Sequence, residues 1–184
     1  MNETLKTIME RNSCRDFKDT PLTDEQIKAL VDAALAAPSG MNRQPWHIVV
    51  VRDKALIDEL DAEGMGILAA AEDKTMLNRF MERGGKLLYN APCLVYILSD
   101  SSTWAPLDCG IQCQNVALAA QSIGLSSCIV GMANVPLTGP RGDDFKKRLK
   151  FPDGYVFAIG ILVGAPNTGK EPHELEPNKV TYVG

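Results

Sequence analysis

Arg11-Asn12-Ser13-Cys14-Arg15, followed further along by Ala37-Pro38-Ser39-Gly40-Met41-Asn42-Arg43-Gln44-Pro45-Trp46, is the sequence on which the fold of this chain turns. In the first block Arg11, Ser13 and Arg15 alternate, so an extended backbone would turn two guanidinium groups and a hydroxyl to one side. Arginine presents planar, paired donors that match phosphate oxygens, and it keeps its charge at any working pH. Such a set suits a terminal phosphate. Taken alone, the same five residues also suit a solvated basic turn leaving a first helix.

In the second block Pro38, Ser39 and Gly40 interrupt an alanine-rich helix. Asn42 and Gln44 then alternate, and Pro45-Trp46 leads into an apolar run. A side-chain amide both donates and accepts, so Asn42 or Gln44 could read the adjacent carbonyls and N–H on the edge of an isoalloxazine ring. By itself this block also reads as a helix C-terminus and a turn, with Trp46 in the core. A cationic, hydroxyl-bearing clamp and an amide-rich loop together are what a phosphorylated flavin needs, which makes flavin mononucleotide (FMN) the leading ligand.

The two blocks, the first extended through Asp16-Phe17, resemble in order and distance the amino-terminal signature of the nitroreductase family, flavin-dependent NAD(P)H oxidoreductases. Asn115 through Gly131 is similar to the family's long helix ending in a Leu-Gly-Leu-like turn. Gly154 through Pro166 is similar to its late strand. The resemblance implies an α+β (α/β sandwich) fold with a small, mostly antiparallel sheet flanked by helices, and a homodimer with FMN at the interface. It further implies ping-pong hydride transfer from NAD(P)H through FMN to nitroaromatic, quinone-like or other conjugated acceptors, with no catalytic acid or base required. A flavin-binding redox sensor or storage protein, or dehalogenation or dehydrogenation on the same fold, would share these motifs.

Carried over by the same resemblance, Arg11, Asn12, Ser13 and Arg15 meet the ribityl phosphate and neighbouring ring atoms. Pro38, Ser39, Asn42 and Gln44 approach from the partner subunit, and the Ile129-Val130-Gly131 turn forms a backbone wall beside the ring. The carboxyl end departs from the family. Another basic residue is expected there for the phosphate, and Leu175 occupies its position, so that Lys170 or Lys179 would have to substitute. Some family alignments bring Lys86 to the ring; the plainer reading is a solvent-facing helix lysine.

The 184 residues, 45% hydrophobic and 23% charged, are enough for one domain with a substantial core, expected over 1–184. A net charge of -4 with no sustained Lys/Arg run disfavours nucleic acid, whose capture requires neutralising many phosphates. Polar Asn2-Glu3-Thr4 does not resemble a secretory signal, and no apolar stretch is long enough to span a bilayer. Five cysteines without framework spacing suit a reducing compartment, and a cytoplasmic location is expected.

Apolar spacing predicts a short first helix around Leu5, Ile8 and Met9. Thr23 and Gln26 form a candidate capping box for a second helix, with Ile27, Leu30, Val31, Ala34 and Leu35 facing inward. Strands are expected at Ile48–Val51, Leu94–Leu98, Val156–Val163 and Thr181–Val183. A helix should follow from Lys54, while residues 63–86 show no clean period. The helix over Leu107–Ile123 has so few polar faces that it should be buried nearly all round, meeting both core and a second subunit. Gly64-Met65-Gly66-Ile67-Leu68-Ala69 matches G-x-G-x-x-A but follows a helix instead of a strand, so it reads as coincidence. Gly85-Lys86 lacks the rest of a P-loop, and Cys109 with Cys113 lacks a third metal ligand. His47 and His173 have no neighbouring nucleophile in sequence.

Overall fold

In the computed structural model, which describes residues 1–169 and 171–184, the elements run α1 (Glu3–Glu10), α2 (Asp24–Leu35), β1 (Trp46–Val51), α3 (Lys54–Ala70), α4 (Thr75–Met81), β2 (Cys93–Ser99), α5 (Ala105–Ser122), β3 (Ser126–Val130), α6 (Val135–Thr138), α7 (Gly142–Arg148) and β4 (Val156–Gly164). The strands form one sheet in the order β1-β2-β4-β3, with every neighbouring pair antiparallel. All seven residues of β2 are buried, which is why it reads as an unbroken apolar run. Its side chains alternate between two cores. Leu94, Tyr96 and Leu98 join Phe17, Ile57, Leu60 and Phe145 on one face. Cys93, Val95 and Ile97 join Leu30, Ala34, Cys113, Val116 and Ala120 of α2 and α5 on the other. Helices on both faces make the expected α+β sandwich.

Local chemistry sets the helix ends. The Thr23 hydroxyl accepts from the Gln26 N–H and the Gln26 side chain accepts from the Thr23 N–H, completing the capping box. Asp53 caps α3 by accepting from Ala55 and Leu56 N–H. After α5 the chain turns at Gly124 (φ +77°), and Leu125 N–H reaches back to Ala120 O at 2.9 Å, the left-handed termination a glycine permits. Gly64 has a packing reason: a β-carbon there would run into the Leu87 side chain. Both glycines of the apparent G-x-G-x-x-A pattern lie inside α3, away from any strand-to-helix turn.

Several expectations need correction. Thr181–Val183 forms no strand; Tyr182 and Val183 are almost fully exposed, because no sheet edge of the same chain lies beside them. Conversely, Ile129 and Val130 end strand β3, whose polar start at Ser126-Ser127 disguises it, and only Gly131 begins the following turn. Residues 63–86 contain the rest of α3 and all of α4. Lys86 stands in the turn after α4, not on a helix. Leu35, at the last position of α2, faces outward. The outer side of α5 is not buried within the chain, leaving Leu107 60% exposed.

Candidate functional site

The first block is extended and anchored by its backbone. Ser13 forms a parallel bridge with Ser127 at the β3 edge, and Cys14 N–H donates to Ser127 O at 2.9 Å. Cys14 and Phe17 are buried in the core, while Arg11, Ser13 and Arg15 stay half-buried. Arg52, Arg141 and Arg148 all pair with carboxylates. Arg11 and Arg15 have no ion pair or side-chain hydrogen bond with any described residue. Two unneutralised guanidinium groups flanking a hydroxyl, with a partly buried backbone behind them, are a donor set that fits a phosphate. Asn12 joins them, its amide donating weakly to Glu10 O at 3.4 Å. Ile129, 40% exposed, and Gly131, where an added β-carbon would meet nothing within 4 Å, continue this surface along the end of β3, while Val130 turns inward.

The second block is a tight turn held by its own side chains. Ser39 Oγ accepts from Gln44 N–H at 2.9 Å, and Asn42 Oδ1 accepts from Gln44 Nε2 at 3.2 Å. Met41, Asn42 and Gln44 all adopt positive φ, between 49° and 54°. Non-glycine residues rarely do so, and such strain persists only where surroundings enforce it. Those surroundings are α5: buried Asp108 faces Gly40 N–H with both oxygens, at 3.3 and 3.4 Å. Gln112 and Asn115 donate to the Ala34 and Ala33 carbonyls at the end of α2. Pro38, Asn42 and Gln44 are exposed and Ser39 half-buried, so the amides are presented to solvent.

Sheet register shows that one chain does not bring the blocks together. Trp46, which follows the amide turn, pairs with Ser99 on the β1 edge. Ser13 lies outside β3 against Ser127, which pairs with Val163, which pairs with Cys93. The blocks therefore occupy diagonal corners, separated by the length of β2 and by four strand spacings, roughly 25–30 Å in all. No molecule the size of one mononucleotide spans both.

Of the other basic candidates, Lys170 lies outside the described residues. Leu175 is 62% exposed, and Lys179 pairs with Glu176 at 2.8 Å. Lys86 Nζ stands 3.8 Å from Asp61 Oδ2. Asp61 is 3% exposed, and its other oxygen accepts from Leu88 N–H at 2.6 Å; burial nevertheless pushes its carboxyl above the usual range. Burial also pushes the Cys93 and Cys113 thiols up to about 12 and Cys109 to about 11, so none is a thiolate near neutrality. Their places in the second core are those of packing residues. Asp108 was missed in the sequence, although a lone acid on the face shared by Ala105, Cys109 and Gln112 of an apolar helix is a readable signal. Trp104, 68% exposed beside the amide turn, carried none.

Residues 8–165 match the family model for the nitroreductase family. A nitroreductase of Desulfitobacterium hafniense, crystallised with bound FMN, is 48% identical and aligns over 100% of both chains with a TM-score of 0.96. Among curated relatives, an FMN reductase (NADPH) of Bacillus subtilis is 29% identical, covering 94% of this chain and 70% of its own length. An NADPH-flavin oxidoreductase of Vibrio harveyi is 29% identical, covering 93% of this chain and 69% of its own.

Proposed function

Since this chain belongs to the nitroreductase family, we propose that it is an FMN-dependent NAD(P)H oxidoreductase that works as a homodimer. The observation that carries this reading is the pair of unneutralised arginines at one corner of the sheet, with exposed amides held at the diagonal corner. Two copies of the chain related by a two-fold axis would set the arginine corner of one beside the amide corner of the other, giving two equivalent composite sites. The open face of α5 supports such an assembly. Leu107 is exposed on α5, and Leu5, Ile8 and Met9 are exposed on α1, which packs against α5; a second copy would remove such apolar side chains from water. Val180, Tyr182 and Val183 of the tail are exposed as well.

When bound, FMN would supply the hydride-carrying chemistry, taking reducing equivalents from NAD(P)H and releasing them to nitroaromatic, quinone-like or other conjugated acceptors. The chain's own work is holding and orienting. Arg11, Ser13 and Arg15 fix a phosphate through charge-assisted bonds, and Asn12 lies beside them. Ile129 offers apolar backing, and Gly131 lets the ring approach the backbone. From the second copy, Pro38 and Ser39 shape the approach while Asn42 and Gln44 meet polar ring atoms. The strained turn keeps those amides oriented without a further ordering cost. Among the described residues no group of three or more His, Cys, Asp or Glu could hold a metal ion. No helix among them is long and apolar enough to cross a membrane. All five cysteines are buried, which supports a reducing, cytoplasmic setting.

The visible absorbance spectrum of the purified protein tests this reading, recorded anaerobically before and after NADH and then NADPH. A flavin spectrum that bleaches is expected, and the effective nucleotide identifies the donor. A flavin that neither nucleotide bleaches would refute the oxidoreductase. Failure to bind supplied FMN would remove the cofactor.

A further inference from the structure

A cleft of about 410 Å³ opens beside the amide turn, lined by Met41 and Arg43 of that turn, by Ser101 and Trp104, and by buried Asp108. We infer that this cleft seats the ring of an aromatic acceptor against Trp104 and takes an anionic substituent, such as a carboxylate, on Arg43, so that the protein selects anionic aromatic acceptors. The inference rests on the oxidoreductase reading above.

The two tryptophans are placed in opposite ways. Trp46 is 7% exposed and packs in the core, whereas Trp104, at the entry to α5, is 68% exposed in the single chain. A large, rigid ring held open beside a cleft is suited to stacking a planar ligand. Met41, 81% exposed, flanks it with a flexible, polarizable side chain that adapts to ring shape. Arg43 is exposed and has no ion pair with a described residue.

The nearby carboxylates bond to backbone N–H groups and not to Arg43. Asp108 turns both oxygens to Gly40 N–H, and Asp100 accepts from Ser102 N–H at 2.9 Å. Asp100 feels the positive charge of Arg43 but forms no ion pair with it, so an incoming anion would meet a free guanidinium fork. The wall bearing Trp104 is also fixed in place. Ser99 Oγ accepts from Ser101 N–H at 3.0 Å, and Ser101 is held at φ +65°. Because Met41 and Arg43 belong to the same turn as Asn42 and Gln44, a ring in the cleft would lie next to the proposed flavin site.

The test uses protein supplied with FMN, titrated with 4-nitrobenzoate and with its uncharged isostere 4-nitrobenzamide. Tryptophan emission is followed first, then steady-state turnover with the nucleotide that bleaches the flavin. Nitrobenzoate should bind about fivefold more tightly than the amide, the size expected of a partly exposed ion pair. Its quenching should disappear in Trp104→Leu. Arg43→Gln should raise KM for nitrobenzoate about fivefold while leaving kcat and the KM for nitrobenzamide in place, and Arg43→Lys should recover part of the loss. Equal affinity of the two compounds for the parent protein, or an Arg43→Gln effect alike on both, would overturn the inference. Protein that holds no flavin yet still shows Arg43-dependent quenching by nitrobenzoate would support the anion-selective cleft and refute the flavin reading.

Discussion

Replacing Arg11 and Arg15 with alanine tests whether the arginine corner reads a phosphate. Each guanidinium is half-buried and unneutralised by described residues, so each is free to make a charge-assisted bond. Such bonds contribute about 1.5–3 kcal/mol when well formed. Partial exposure argues for the lower end, about 1.5 kcal/mol, which is roughly a tenfold weakening of FMN for either single substitution. The double substitution should lose somewhat less than a hundredfold, because two groups on one anion are not independent. The fold should survive, since the segment is held by the Ser13–Ser127 bridge and the Cys14 N–H to Ser127 O bond, both made by backbone. Equilibrium dialysis against FMN and against riboflavin gives the decisive comparison. The parent protein should prefer FMN, and the double variant should bind the two almost equally while its affinity for riboflavin stays unchanged. A parallel loss of both ligands would show that the arginines support the local structure and do not read the phosphate.

The remaining predictions concern stability. Gly64→Ala inserts a methyl group against buried Leu87 and should cost about 1–3 kcal/mol, partly offset by roughly 1 kcal/mol of helix propensity, lowering Tm by a few degrees. Gly66→Ala in the same helix faces open space and should raise Tm; equal shifts in thermal denaturation would dispose of the packing argument. Hydrogen bonds from Arg148 and then Arg141 hold the Glu59 carboxyl at about 2, below its unfolded value near 4.3. The stability from that network should be complete above pH of about 4.3 and fade as pH falls towards 2, and urea midpoints for Glu59→Gln should show a flatter acid limb than the parent. Asp61 has the opposite sign. Its carboxyl is raised by burial, so wild-type stability should decline as pH climbs from about 3.9 through the raised value. Asp61→Asn, able to accept from Leu88 N–H still, should lack that decline in the same urea series.

Much of the architecture is legible because burial writes itself into long apolar patterns. The runs within β1, β2 and β4 are apolar wherever both sheet faces are covered, and α5 is apolar where it meets the second core. The Thr23–Gln26 box is local chemistry and needs no tertiary context. Ser126-Ser127 opens β3 with polar residues, and the chain around Ser13 that pairs with this edge lies over a hundred residues away. Thr181–Val183 has strand-like composition but no partner within its own chain, so propensity misleads there. The alternation of Arg11, Ser13 and Arg15 is readable from sequence, whereas their position diagonal to Asn42 depends on sheet register. Arg43 and Trp104, far apart in sequence, line one cleft where Asp108 ties the amide turn to α5. No local pattern announces that.

The diagonal placement of the two blocks has a consequence for inheritance. If each working site is assembled from opposite corners of different chains, a chain with a ruined arginine corner and a chain with a ruined amide corner are complementary defects. Each is inactive with its own kind. Co-expressed, they would pair so that one of the two sites receives both intact corners and the other receives neither, restoring about a quarter of the full complement under random pairing. Two alleles that fail separately could therefore support growth together, and a damaged copy would trespass on a healthy partner's site.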